Sequence, residues 1–208
     1  MSAPAPFIES VFHASDFSEA GEVAFAHALA IALVGRASFT MLHAGNRTAE
    51  NWRKFPAVRQ TLTQWGLLAP GSPKRAVFEE LSVEVTKIDA QGSAVKACLH
   101  YIEKEEPDLA VFATEGRDGL ARWLRPSTAQ HIARRTNTIS LFVPAGCRPM
   151  VSLEDGSLSL HRILVPVDHR PNAARALTYA TRAATAFGDP PVRITRLHAG
   201  DEMPPADL

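Results

Sequence analysis

Apolar and polar positions between residues 10 and 146 follow two alternating patterns. Short, nearly continuous apolar runs have the length and composition of buried strands. The segments between them place apolar residues three or four positions apart, as on one face of a helix. The five predicted strands are SVFHASD (10–16), ASFTMLHAG (37–45), VEVTKIDA (83–90), DLAVFATEG (108–116) and TISLFVPAG (138–146). This alternation predicts an α/β domain with a parallel sheet covered by helices on both faces.

The start and end of the first helix have recognisable signals. Ser18 stands where an N-cap is expected, and Gly35 follows the last apolar position. Ala24, Ala28 and Ala32 recur at helical spacing between them. A helix that joins two strands in this way is a crossover, so the strands on either side are predicted to run parallel.

The pattern begins again near the C-terminus. SVFHASD and RILVPVD (162–168) both end in aspartate, and Asp16 and Asp168 are 152 residues apart. An alanine-rich helix follows each one and leads to a strand that ends in LHAG, with Leu42 and Leu197 155 residues apart. We assign the three-residue difference to a GDPP turn. Shared elements in the same order indicate a duplicated strand–helix–strand unit.

The repeat divides the chain into three parts. We expect residues 1–147 to form a complete domain and residues 161–208 to form a partial second copy, without a counterpart of residues 83–146. Residues 148–160 join them. Because Asp155-Gly156 lies between alternating apolar residues, this link is predicted to be a two-stranded hairpin.

Composition and charge narrow the functional classes. Lysine plus arginine and aspartate plus glutamate both number 22, which argues against nucleic acid or an anionic membrane as partner. The N-terminal residues lack the regions of a signal peptide, and no apolar run approaches the ~20 residues of a membrane span. Cys98 and Cys147 lack metal-ligand spacing. We therefore expect a cytoplasmic protein without a metal site.

These residues resemble the universal stress protein family. ILVPVD and HASDFSEAGEVAFAHALAIA resemble its first strand and helix, and LHAG resembles the end of its second strand. DLAVFATEGRDGL, PST and IARRTNTISLFVPAG resemble its fourth strand, phosphate loop, fourth helix and closing strand. The resemblance implies a five-stranded parallel sheet of order 3-2-1-4-5. The family includes members that bind ATP and members that do not.

The resemblance also implies a nucleotide site. The family loop G-x2-G-x9-G-[ST] falls on Ala113, Gly116, Pro126 and Ser127, so two positions match and two depart. The remaining implied contacts are Asp16 for the ribose or adenine and the Ala44 backbone for the base. The residues themselves add two phosphate candidates, the Thr128 N–H and Arg117, which directly follows Gly116 and can compensate for lost donors. ATP, or another adenine nucleotide, is the candidate ligand.

Pro126 weakens the implied loop because proline has no N–H and fixes φ near −65°. One lost charge-assisted hydrogen bond of ~1.5–3 kcal/mol lowers affinity roughly 10–150-fold. Three functions therefore stay open: a non-enzymatic stress-response module that binds nucleotide, an interaction scaffold that binds none, and an ATP-using enzyme on a related sheet. ASDFSEAG lacks the pyrophosphate motif of that enzyme class, and no base–nucleophile pair stands near the loop.

The predicted closing strand suggests self-association. TISLFVP (138–144) would be an edge strand, and an apolar edge strand pairs readily with another chain. The partial second copy would leave apolar surface uncovered as well. We expect a homodimer with TISLFVP or RILVPVD at the contact.

Overall fold

The chain folds into two separate units. The computed structural model describes residues 7–46, 48–114 and 128–204. The larger unit spans Ile8–Gly156, and the smaller unit comprises Phe7 and the residues from Ser157 onward. None of the helices among the described residues has the length and apolar character needed to cross a membrane.

The larger unit contains a five-stranded parallel sheet of order β3-β2-β1-β4-β5. Its strands are β1 (Ser10–Ala14), β2 (Ser38–Gly45), β3 (Val85–Gln91), β4 (Leu109–Thr114) and β5 (Ile139–Pro144). Its helices are α1 (Glu19–Gly35), α2 (Asn51–Lys54), α3 (Val58–Gln64), α4 (Ala76–Leu81), α5 (Ala94–Glu105) and α6 (Thr128–Ala133). The predicted fold class and strand order are confirmed. The order reverses between β1 and β4, which is where open α/β sheets generally have a crevice at the carboxyl ends of their strands.

Helices cover both faces of this sheet. Phe12 and Leu42 point to the face covered by α5, where they pack with Leu99 and Ile102. The opposite face carries α1, whose Phe25 ring lies 6.5 Å from the ring of His13, measured between centroids. Neighbouring strand residues point to opposite faces, so a strand buried on both faces reads as a continuous apolar run.

The predicted cap of α1 is present and the helix ends at Gly35 as expected, although the left-handed residue is the one after it. Ser18 Oγ accepts a hydrogen bond from the Gly21 N–H at 3.0 Å. The left-handed residue at the other end is Arg36, with φ 50°, directly after Gly35. A Cβ on Gly35 would lie 2.6 Å from the Ile8 carbonyl oxygen, so this glycine permits a close backbone approach.

Segment 148–156 is joined to the rest of the larger unit by hydrogen bonds, of which the two shortest come from a backbone N–H and an indole N–H. The Met150 N–H donates to His27 Nε2 at 3.2 Å. Trp65 Nε1 donates to the Leu153 carbonyl oxygen at 3.1 Å. Both bonds join residues far apart in the chain, so they hold the segment on the surface of the domain without a partner strand.

The end of this segment is a turn at the predicted Asp155-Gly156 position. The Gly156 N–H donates to the Ser152 carbonyl oxygen at 2.9 Å and closes the turn. Val151 and Leu158 are isolated bridge residues on its two sides, and neither sheet includes residues 148–159. The link thus has the turn of the predicted hairpin but not its two extended strands.

The smaller unit is a strand, a helix and a strand: β6 (Leu160–Pro166), α7 (Ala174–Phe187) and β7 (Gly188–Leu197). The two strands pair in parallel, and Val165, Val167, Leu177 and Ala180 form the core under α7. GDPP lies within β7 rather than in a turn. The pairing passes from Leu160–Gly188 to Arg162–Arg193, so β7 absorbs three extra residues as an irregularity in the ladder.

Candidate functional site

Three of the residues implied by the resemblance meet at the carboxyl edge of the sheet. The Ser15 N–H donates to the Leu42 carbonyl oxygen at 2.8 Å, which extends the pairing of β1 and β2 by one residue, and Asp16 follows directly. Ala44 and Ala113 are the penultimate residues of β2 and β4. Since β1 pairs with both strands in parallel, these positions share one edge, at the point where the strand order reverses.

Asp16 is an exposed carboxylate held in place by its own loop. Its Oδ1 accepts hydrogen bonds from the Ser18 backbone N–H at 3.0 Å and from Ser18 Oγ at 2.6 Å. A Cβ on Gly21 would approach this Oδ1 to 2.8 Å, so the glycine leaves room for the carboxylate. The first turn of α1 thus orients a charged group whose side chain still reaches solvent.

Phe17 and His43 form an aromatic pair beside Ala44 that the sequence analysis did not identify. Phe17 has φ 60°, and its ring stacks on His43 with centroids 3.9 Å apart and planes at 21°. His43 Nδ1 donates to the Ser15 carbonyl oxygen at 2.9 Å, which fixes the imidazole orientation. A left-handed non-glycine residue costs roughly 1–2 kcal/mol, so the contacts of the Phe17 ring offset a strained backbone. The aspartate next to Phe17 was the only sequence signal available.

A buried carboxylate orders the loop after β2. Asp89 accepts from the Asn51 amide through both carboxylate oxygens, at 3.1 and 3.2 Å. The same amide donates to the Asn46 carbonyl oxygen at 2.9 Å, and Thr48 Oγ1 donates to Asn51 Oδ1 at 2.9 Å. The network satisfies a charge that would be costly to bury alone, and it positions the loop next to the edge.

His13 is a core histidine below this edge. Its Nδ1 donates to the Val111 carbonyl oxygen at 3.1 Å, and its buried Nε2 has no partner among the described residues. Burial lowers the pKa of His13 to about 4, although the bond to Val111 and the charge of Asp16 oppose this shift. The imidazole is therefore neutral near pH 7. No group of three His, Cys, Asp or Glu within the described ranges could hold a metal ion.

Comparison with models of known protein families shows which family this chain belongs to. A model of the universal stress protein family matches residues 9–144, which include all five strands of the larger unit. The chain belongs to the universal stress protein family. The search of curated proteins returns no match.

Solved structures of universal stress proteins are similar to this chain at low identity. One, described as a universal stress protein in complex with cAMP, is 18% identical, covers 67% of this chain and 98% of its own, and has a TM-score of 0.49. UspA from Lactobacillus plantarum is 16% identical, with coverages of 65% and 98% and a TM-score of 0.43. A universal stress protein from Archaeoglobus fulgidus DSM 4304 is 16% identical, with coverages of 69% and 46% and a TM-score of 0.46.

Only part of the implied nucleotide site lies within the residues that the structure describes. Asp16, Ala44 and Ala113 lie at the carboxyl edge, and Thr128 is the exposed first residue of α6. The implied positions outside the described residues are Gly116, Arg117, Pro126 and Ser127. The positions implied for base and ribose contacts therefore lie within the described residues, whereas most of the positions implied for phosphate contacts do not.

Proposed function

We propose that this universal stress protein is a non-enzymatic, cytoplasmic stress-response module that binds ATP or another adenine nucleotide. The observation that carries the proposal is the position of Asp16. Its exposed carboxylate stands at the reversal of strand order, beside the aromatic pair Phe17–His43. Ligands of open α/β sheets bind in this crevice.

Each side chain at the edge has a chemical role in this proposal. The Asp16 carboxylate accepts hydrogen bonds from ribose hydroxyls or from the adenine amino group. The backbone of Ala44 meets the base, and the Phe17–His43 pair offers an aromatic surface next to it. The phosphates approach Gly116, Arg117 and the N–H of Thr128. We infer no chemical step, because the sequence places no base–nucleophile pair here.

Calorimetry with ATP tests the proposal. Asp16→Ala is expected to weaken binding by about ten-fold or more, because a hydrogen bond to a charged group is worth ~1.5–3 kcal/mol. The matched control is Asp168→Ala, which removes the aspartate that ends RILVPVD in a segment without its own glycine loop. Equal affinity of the Asp16→Ala and wild-type proteins would refute this placement.

A gain-of-function variant probes the phosphate loop in the same experiment. Pro126→Gly combined with Ala113→Gly is expected to strengthen ATP binding about ten-fold or more, since a backbone donor and a close approach are restored. If neither the wild type nor this variant binds ATP, and mass spectrometry finds no nucleotide in the denatured protein, the interaction scaffold becomes the better account. The missing N–H of Pro126 is the feature that favours that alternative.

We also propose that residues 161–208 are the front of a second copy of the domain, joined to residues 1–147 by 148–160. The Val167 N–H donates to the Leu197 carbonyl oxygen at 2.8 Å, as the Ser15 N–H donates to that of Leu42 at the same distance. These four residues occupy equivalent positions in the predicted repeat. The smaller unit therefore reproduces the hydrogen bond that closes the first strand pair.

Ring contacts support the same equivalence. His43 Nδ1 donates to the Ser15 carbonyl oxygen at 2.9 Å, and His198 Nδ1 donates to the Val167 carbonyl oxygen at 3.1 Å. The ring of Phe17 stacks on His43, and that of His169 lies at 89° to His198 with centroids 5.6 Å apart. A duplicated unit accounts for a histidine and a neighbouring ring at equivalent positions of both copies.

A homodimer is the proposed assembly, with the contact at β5 or β6. Leu164 and Leu197 are 60% and 53% exposed, whereas their counterparts in the first copy, Phe12 and Leu42, are buried. We expect multi-angle light scattering to give a dimer at micromolar concentration, and Leu164→Asp to shift it toward monomer. Leu67→Asp changes a leucine that is 42% exposed in the larger unit and serves as control. A monomeric wild type would contradict the assembly.

A further inference from the structure

A groove lies against the edge strand β3 of the larger unit and is not part of the proposed nucleotide site. It encloses about 1200 Å³ between β3, α3, α4 and the turn at residues 70–72. This volume is somewhat larger than the ~300–1,000 Å³ usual for a small-molecule site, so a small organic molecule fits within it. Phe55 lines the groove and also makes an edge contact with the Phe17 ring at 5.3 Å. The groove is thus adjacent to the carboxyl edge but opens along β3.

Positive charge predominates around the groove. Four cationic side chains line it, against a single carboxylate, that of Glu84; the cations are Arg53, Arg59, Lys74 and Lys87. No carboxylate oxygen in residues 7–46, 48–114 and 128–204 comes within 4.0 Å of any of the four. Among the residues that the structure describes, no ion pair therefore compensates this positive charge.

Lys87 is the cation held most firmly at the groove. Its Nζ donates to the Pro56 carbonyl oxygen at 2.9 Å and lies 5.7 Å from the centre of the Phe55 ring. Burial, followed by the charges of Lys74 and Arg59, lowers the pKa of Lys87. Two further cations are therefore near enough to repel its half-buried ammonium group. Such an arrangement favours a bound anion, which would relieve the repulsion of all three.

Apolar side chains form the floor of the groove and part of its walls. Val58, Val77 and Val83 are buried beneath the groove, so its floor is apolar. Phe78 and Trp52 line it while remaining 63% and 50% exposed. Aromatic side chains with this much exposed surface next to cations suit a ligand that has a flat or extended apolar body.

We infer that this groove binds a small organic anion, in which a carboxylate, phosphate or sulfonate group is attached to an apolar body. The acidic group would lie between Lys74 and Lys87, and the body would pack on Phe78. Inorganic phosphate would leave the apolar walls unused, and an uncharged hydrophobic molecule would leave the cations uncompensated. The cations therefore call for the acidic group of the ligand, and the apolar side chains call for its apolar body.

Fluorescence titration with 1-anilinonaphthalene-8-sulfonate, an aromatic sulfonate, tests this inference, and the uncharged probe N-phenyl-1-naphthylamine serves as comparison. The Lys74→Gln/Lys87→Gln double variant is expected to weaken binding of the sulfonate at least about ten-fold, because two charge-assisted contacts are lost. Its affinity for the uncharged probe is expected to stay within about two-fold of the wild type, because that probe makes no charge-assisted contact with either lysine. Phe78→Ser is expected to weaken both probes.

The control variant is Lys96→Gln/Arg175→Gln, which removes two exposed cations that do not line the groove. It changes the net charge by the same amount and is expected to keep the wild-type affinity for the sulfonate. An equal loss in the control would mean that the probe responds to net charge alone. Unchanged sulfonate affinity in the Lys74→Gln/Lys87→Gln variant, or equal binding of both probes by the wild type, would overturn the inference.

Discussion

Gly156→Ala is expected to destabilise the larger unit by about 2–5 kcal/mol, because two costs add at this position. Gly156 has φ +72°, a conformation that costs an alanine roughly 1–2 kcal/mol. A Cβ would also lie 2.4 Å from Trp65 Cε3, and overpacking of this kind typically costs ~1–3 kcal/mol. Urea denaturation followed by circular dichroism measures the change.

Gly71→Ala separates the two costs. Gly71 has φ +81°, but a Cβ added there would meet no atom within 4 Å, so only the backbone cost applies. The difference between the two variants then reports the contact of the turn with Trp65. A Gly156→Ala protein as stable as Gly71→Ala would show that segment 148–156 does not pack on Trp65, and this would contradict the docked link.

Acidification from pH 6.5 to pH 4 is expected to lower the free energy of unfolding by about 3 kcal/mol through His13 alone. Burial lowers its native-state pKa from 6.5 to about 4, so the unfolded chain binds a proton in this range and the native state does not. Each unit of pKa difference is worth ~1.4 kcal/mol. Stability present above pH 6.5 is therefore lost progressively, and the loss is complete below pH 4.

His13→Leu tests the assignment, because leucine is apolar and does not titrate. Urea denaturation at several pH values is expected to show a shallower decline in the variant, smaller by about 3 kcal/mol across the range. A residual decline is expected from His27, since burial also lowers its pKa. His100→Gln, at an exposed position of α5, is the control and is expected to keep the wild-type profile. A His13→Leu profile parallel to that of the wild type would refute the assignment.

The helix boundaries between β2 and β3 could be predicted only in part from the sequence. Trp52, Phe55 and Val58 occur at the spacing expected within a single helix. The structure instead has two helices there, α2 and α3, separated by a break that begins at Phe55. Phe55 is extended, with ψ 136°, because the residue before a proline avoids the helical region. Pro56 therefore determines where α2 ends, and helical spacing alone does not show this break.

The candidate site likewise combines residues that the sequence identified with contacts that it did not reveal. Asp16 and the alanines at positions 44 and 113 were found by motif, and parallel pairing brings them to one edge. The Phe17–His43 stack was missed, because it requires a left-handed φ at a phenylalanine, which local propensity disfavours. The Asn51–Asp89 network joins residues 38 positions apart and has no local signature.

The sequence by itself determined the class of fold, the strand order through family resemblance, and the edge of the sheet where a ligand is expected. Hydrophobic period and strand–helix alternation are local properties, so they can be read without coordinates. Only the tertiary structure decided that segment 148–156 docks on the larger unit and that four cations converge on the β3 groove. Those features depend on contacts between residues distant in the chain, and such contacts exist only once the backbone is folded.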